Sequence, residues 1–264
     1  MSLIEALVLG LIQGFTEFLP VSSSGHIELA KAIMNVHVSE DVLFTMILHG
    51  ATVLSTIVIY FTEIRKLVQE GITPSWNDSK KYILLLVVSM IPVFFVGIFL
   101  KDALEDFFFG NILAVGISLL FTGGLLSFTY FAKNETSQIG WKSAIGMGIA
   151  QAIAVIPGIS RSGSTIATGL LMGVKKEEAT RFSFLMVLAP ILGANLLELL
   201  KFDPSTVSDL SIPVIAIGFV TAFIAGVVAC KWMINLVKKG KLIYFAVYCI
   251  VVGFTAIGYT LFIA

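Results

Sequence analysis

The stretch EFLPVSSSGH, Glu17 to His26, decides how this chain must fold. It sets a carboxylate, a proline, three serines, a glycine and an imidazole between two apolar runs, in a 264-residue chain that is 57% hydrophobic. Only 13% of the residues are charged and the mean hydropathy is +0.98, outside the range of ordinary soluble domains. The chain therefore reads as an all-α integral membrane protein, and Glu17–His26 as a polar break at membrane depth.

On either side of that break, six apolar stretches are long enough to cross a hydrocarbon core of ~30 Å, which takes about 20 residues. They run from Val42 to Phe61, Tyr82 to Leu100, Ile112 to Phe131, Phe182 to Leu200, Ile212 to Cys230 and Leu242 to Phe262. Two further apolar regions, Leu3 to Ala32 and Ser143 to Gly173, are each interrupted by a Pro/Gly/Ser cluster, so neither half is long enough to span. Broken helices are tolerated in a bilayer only where protein or a water-filled cavity covers the freed backbone groups. Both regions are expected to be re-entrant helix-loop-helix hairpins.

Six spans then place segments 62–81, 132–142, 174–181 and 231–241 on one side, with thirteen of the seventeen Lys and Arg residues, Lys133 and Arg181 among them. Lys31, Lys101 and Lys201 fall on the other side, and Arg161 lies within the second hairpin. By the positive-inside rule the thirteen mark the cytoplasmic face, and Trp76, Trp141 and Trp232 fall near it as an interfacial belt. Both termini are expected outside. The first hairpin enters from outside and the second from the cytoplasm, so the two are inverted.

A shift of 138 residues supports this, laying Gly10 on Gly148, Gln13 on Gln151, Ser22 on Ser160, Ser24 on Ser162 and Gly25 on Gly163. The expected architecture is one membrane domain over residues 1–264, an inverted-topology repeat of about 1–131 and 132–264. Such repeats bring broken helices together near the midplane.

Several classes drop out. The N-terminus, MSLIEALVLGLIQG, lacks the basic n-region of a signal peptide. Cys230 and Cys249 have no metal-ligand spacing and read as packing residues. The balance of 17 basic and 17 acidic residues makes no case for nucleic acid.

In the first hairpin Gln13 and Glu17 are four apart, on one helical face, with Ser23 and His26 just beyond Pro20. An intramembrane carboxylate is costly and marks a functional site by default. In the second, VIPGISRSGST (Val155 to Thr165), Arg161 sits in a Ser/Gly loop. Its guanidinium fork suits phosphate oxygens, and hydroxyls with backbone N–H groups at the next helix start form an anion nest. The competing reading makes Arg161 a structural counter-ion to Glu17. Tip to tip, the two hairpins would present a cation, a carboxylate, a histidine and serines, a set suited to phosphoryl transfer on an amphiphile with a phosphate or diphosphate headgroup. His49, Pro92 and Pro190 read as packing or kinking residues rather than chemistry.

QGFTEFLPVSSSGH closely resembles the (E/Q)xxxE-x-LP-x-SSxGH signature of the undecaprenyl-diphosphate phosphatases, the bacitracin-resistance family, and PGISRSGST resembles that family's PGxSRSGxT motif. The resemblance covers both motifs, their separation and the whole hydropathy profile. It implies hydrolysis of undecaprenyl diphosphate to undecaprenyl phosphate and inorganic phosphate, which recycles the lipid carrier for peptidoglycan. It also implies a divalent cation, Mg²⁺ or Ca²⁺, and a multi-pass location in the bacterial inner membrane. By motif position it assigns the essential carboxylate to Glu17, the serine to Ser23, the histidine to His26 and the arginine to Arg161. Ser22, Ser160, Ser162 and Thr165 become supporting phosphate contacts.

Glu17 and Gln13 would serve the cation. Many members carry glutamate where Gln13 stands; an amide adds no charge, so the cation would be held partly by the substrate's own phosphates. The expected partners are a polyprenyl diphosphate lipid and the bilayer, with a homodimer allowed and nucleic acid not expected.

Two mechanisms stay open: Ser23 as nucleophile with His26 as its base, or direct attack by a metal-held water with Ser23 as a ligand. The site is expected to face outside. A lipid-phosphate flippase or anion transporter on the same scaffold is the alternative function.

Overall fold

The computed structural model describes residues 1–34, 41–108, 110–132, 137–201 and 211–262, excluding the side chains of residues 41, 42, 101, 102, 105, 106, 198, 199 and 201. Lys133 and the side chains of Lys101 and Lys201, used above for orientation, lie outside the described residues. Among them the structure is helical, with one isolated parallel bridge between Ser137 and Val174.

The chain opens with α1 (Leu3–Phe18) and α2 (Ser23–Met34), followed by α3 (Asp41–Ile59), α4 (Phe61–Gly71), α5 (Asp78–Phe99) and α6 (Lys101–Phe108). Then come α7 (Ile112–Phe128), prolonged by a 3-10 turn Thr129–Phe131, α8 (Trp141–Ile153) and α9 (Arg161–Leu171). The last four are α10 (Lys176–Met186), α11 (Leu188–Lys201), α12 (Ile212–Lys238) and α13 (Ile243–Phe262).

Five helical segments are long and apolar enough to cross a membrane: α5, α7 with its turn, α10 joined to α11 as far as Leu197, α12 and α13. A sixth is the pair Leu43–Ile59 and Phe61–Gly71, bent by 77° at Tyr60. The five overlap five of the six expected apolar stretches, and the bent pair overlaps the sixth. By contrast α2, α8 and α9 have 12, 13 and 11 residues. At 1.5 Å per residue they reach only about 16 to 20 Å, short of the hydrocarbon core.

Local chemistry explains the breaks. Helix α1 begins in a capping box, with Ser2 Oγ accepting from Glu5 N at 3.2 Å and Ser2 N donating to Glu5 Oε2 at 2.8 Å. It stops at Leu19, whose extended backbone (φ −70°, ψ 146°) is what a residue before proline favours.

The fourth span corrects the sequence reading. It starts at Lys176 rather than Phe182, so most of 174–181 is helix and not loop. Glu177 and Glu178 favour the N-terminal end of the dipole. Arg181 is neutralised within the helix by Glu178, at 2.7 and 2.8 Å, and lies over the Tyr82 ring, 5.2 Å from its centroid.

The core has three clusters, around Phe18, Phe182 and Met147, around Leu9, Phe44 and Leu48, and around Val21, Leu126, Ala167 and Cys249. Both cysteines are buried and free. Phe94, Phe95, Phe99 and many other large apolar residues are exposed, as a lipid-facing surface requires.

What positions the site is the meeting of two loops, 19–22 and 154–160. Gly158 N donates to Ser22 Oγ at 3.1 Å, and Ser162 Oγ donates to the Leu19 carbonyl at 3.1 Å. Thr122 on α7 binds the second loop from behind, its Oγ1 donating to Gly158 O and accepting from Ser160 N, both at 3.0 Å. Gly158 has φ +93°, and a Cβ there would stand 2.6 Å from the Val115 carbonyl. Only glycine suits that position.

Candidate active site

Gln13 and Glu17 lie one turn apart on the inward face of α1, Gln13 fully buried and Glu17 nearly so. The Glu17 carboxylate collects three donors from three parts of the chain. Oε2 accepts from Gln13 Nε2 at 3.0 Å and from Ser23 Oγ at 2.7 Å; Oε1 accepts from Arg161 Nη2 at 2.5 Å. The sequence-predicted Gln13, Glu17, Ser23 and Arg161 are thus brought together, across 144 residues in the case of the ion pair.

The counter-ion reading of Arg161 is correct but incomplete. Its second terminal nitrogen, Nη1, is buried with no partner among the described residues, as is Gln13 Oε1. Buried polar atoms are normally paired, so these two atoms are exceptions that call for an explanation. Glu17 and Arg161 line a small pocket with Phe18, Thr52, Thr56 and Phe184.

The remaining predicted residues divide by what they bind. Ser160 caps α9, its Oγ accepting from Gly163 N at 3.1 Å. Ser22 does the same for α2, accepting from Gly25 N at 3.3 Å, and holds φ +71°, an unusual conformation for a serine. Ser162 ties the loops together, and Thr165 Oγ1 bonds the Arg161 carbonyl at 2.8 Å and Ser183 Oγ at 2.6 Å. All four hydroxyls build the junction that aims Arg161 and the α9 N-terminus.

His26 departs from the expected pairing with Ser23. Its Nδ1 is 2.8 Å from the Ser22 carbonyl, and its Nε2 is 2.8 Å from the hydroxyl of Tyr248 on α13, with the two rings stacked 5.5 Å apart at 12°. A three-residue spacing at a helix start turns the imidazole back toward the preceding turn, while Ser23 points at Glu17. Sequence reasoning missed Tyr248, 222 positions from His26, and Thr122.

The fold and site define a polytopic helical membrane protein in which two helix breaks meet at a buried carboxylate–guanidinium pair, with an imidazole on the adjoining helix. Residues 6–255 match the model of the family described as "Bacitracin resistance protein BacA", and the chain belongs to that family. It is 48% identical over 264 residues to the undecaprenyl-diphosphatase of Parabacteroides distasonis, covering 99% of both chains. It is 49% identical over 260 residues to that of Bacteroides thetaiotaomicron, covering 97% of this chain and 98% of the relative. The enzyme of Alkaliphilus metalliredigens is 36% identical, with 99% and 100% coverage.

Proposed function

We propose that this protein hydrolyses undecaprenyl diphosphate to undecaprenyl phosphate and inorganic phosphate in the bacterial inner membrane. The observation that carries the reading is the Glu17 carboxylate, which binds Ser23 Oγ at 2.7 Å on one oxygen and Arg161 on the other, beside an unpartnered Arg161 Nη1. Family membership and the names of the relatives agree with it.

Arg161 Nη1 and the N–H groups at the start of α9 bind the terminal phosphate. Ser23 Oγ attacks its phosphorus while passing its proton toward Glu17 Oε2, the base it already touches. The Oγ–P bond forms as the bridging P–O bond breaks, and the electron pair leaves with undecaprenyl phosphate. A water whose proton goes to His26 Nε2 then cleaves the phosphoseryl bond, Ser23 recovers its proton from Glu17, and His26 gives its proton to the departing inorganic phosphate. The structure favours Glu17 over His26 as the partner of Ser23 in the first step.

The donor set bears on the implied cation. Among the described residues no cluster of three or more His, Cys, Asp or Glu could hold a metal. Glu17 and the free Gln13 Oε1 fit one side of an oxygen-ligated Mg²⁺ or Ca²⁺ whose other ligands come from the diphosphate and water. When bound it would neutralise charge on the diphosphate oxygens.

The reading includes the topology: α1–α2 and α8–α9 as re-entrant hairpins of an inverted repeat, 1–131 and 132–264, with the site and both termini outside. It is supported by the packing, in which α1 lies on α12 while α8 lies on α5, and α7 pairs with α13. If α5 and α12 are counterparts, each first helix of a hairpin packs on the other repeat. A cysteine in place of Ser24 should be labelled by impermeant reagents from outside; labelling only from the cytoplasm would refute this orientation.

The test of function is phosphate release from a C55 polyprenyl diphosphate by purified protein in detergent, with and without EDTA. Cation-dependent release, lost in Ser23→Ala with accumulation of no phosphoenzyme, is expected. An active Ser23→Ala would replace the serine with direct water attack, and an inactive wild type that moves lipid phosphate in proteoliposomes would replace hydrolysis with transport.

A further inference from the structure

The contact that the functional reading leaves unused is the one between His26 and Tyr248. The Ser22 carbonyl can only accept, so Nδ1 of His26 must carry a proton. In the neutral ring Nε2 is then an acceptor, and the group 2.8 Å from it is the Tyr248 hydroxyl, a donor. The imidazole is held from both sides and stacked on a ring from the last helix. Ser22 is itself fixed, because its Oγ accepts N–H bonds from Gly25 and from Gly158 in the opposite loop.

Tyr248 is not part of the core that explains α13. Its neighbour Cys249 fills that role, fully buried with Sγ 3.6 Å from the Pro20 carbonyl, whereas Tyr248 is 43% exposed and turns toward the open side of His26. A phenol on an apolar helix needs no imidazole to be stable there. Its placement is explained if the histidine needs it.

We propose that Tyr248 is the positioning residue of His26: its hydroxyl donates to Nε2, reinforces the Nδ1–H tautomer that the Ser22 carbonyl sets, and holds the ring in its working orientation until the attacking water replaces it. It acts through His26 and not on the substrate. The inference rests on the hydrolytic reading for its catalytic consequence, but the hydrogen bond stands independently of it.

The test uses the full-length protein in detergent and two readouts. In Tyr248→Phe, which keeps the stacked ring and removes only the hydroxyl, kcat for polyprenyl diphosphate hydrolysis should fall about tenfold, a modest part of what a positioned base contributes, with KM unchanged. In the double variant with His26→Ala the second substitution should cost nothing further, because the two act as one unit. Additive losses, or a Tyr248→Phe enzyme with wild-type kcat, would overturn the proposal. The second readout needs no turnover: diethyl pyrocarbonate modification of His26, located by mass spectrometry, should be several times faster in Tyr248→Phe because Nε2 is uncovered. Equal rates would overturn it as well. A wild type that releases no phosphate, together with faster labelling of His26 in Tyr248→Phe, would sink the phosphatase reading and leave the Tyr248–His26 link standing.

Discussion

The two loop tips share a scaffold and differ in their chemistry. The 138-residue shift that pairs Ser22 with Ser160 also pairs their hydrogen bonds: each hydroxyl accepts the N–H of a glycine three residues on, Gly25 or Gly163. The same shift sets Glu17 against Val155, Ser23 against Arg161, His26 against Ser164 and Pro20 against Gly158. One tip therefore holds the carboxylate, hydroxyl and imidazole, and the other the cation. What the tips have in common is a way to start a helix inside apolar surroundings. What differs is the charge, and that difference lets the tips attract rather than repel.

If so, substitutions at paired positions should have unequal effects. The largest gap is expected between Glu17→Ala and Val155→Ala. Losing the carboxylate leaves Arg161 buried and unpaired, which should cost ~3 to 5 kcal/mol of stability and on the order of 10³-fold in phosphate release. Val155→Ala should stay within about 1 kcal/mol and keep turnover. Thermal unfolding in micelles, followed by tryptophan fluorescence beside the turnover assay, reads both.

Next comes His26 against Ser164. His26→Ala should lower turnover by about 10²-fold without unfolding the protein. Ser164 Oγ is buried with no partner among the described residues, so Ser164→Ala should leave activity intact and stability equal or higher. If Ser164→Ala were as damaging as His26→Ala, the second tip would hold acid-base chemistry too.

Third, Gly158→Ala forces a side chain into a positive-φ position against the Val115 carbonyl and should cost about 1 to 3 kcal/mol, while Pro20→Ala, acting through the unfolded chain, should cost under about 1 kcal/mol. The smallest effect is also the one with opposite sign. Gln13 donates to Glu17, whereas both amide atoms of Gln151 are buried without partners among the described residues. Gln151→Leu should raise stability by roughly 1 kcal/mol, and Gln13→Leu should lower it. A melting temperature that falls for Gln151→Leu would point to a ligand or water held there.

Much of this was legible in the sequence because hydrocarbon permits few solutions. Six long apolar segments and two broken ones read directly from length and composition, and the residues gathered on Glu17 came from the two breaks. Two kinds of feature escaped. Charges with a partner one turn away, such as Glu178 and Arg181, extend a helix past the point where hydropathy alone would end it. Contacts between distant segments leave no local trace: Tyr248 sits among Val247, Cys249 and Ile250 with nothing in that run to mark it. The spacing of Ser23 and His26 suggests a pair, but spacing fixes rotation around a helix and not the direction of a side chain at its first turn.

The ion pair between Glu17 and Arg161 has a consequence for synthesis. The carboxylate enters the membrane 144 residues before its guanidinium, a delay of roughly 7 to 30 s at about 5 to 20 residues per second. A carboxylate alone in hydrocarbon is costly. The first loop is therefore expected to wait at the interface or in the translocon and to reach its final depth only when residue 161 has been made, so that the last step of membrane insertion and the birth of the active site are one event.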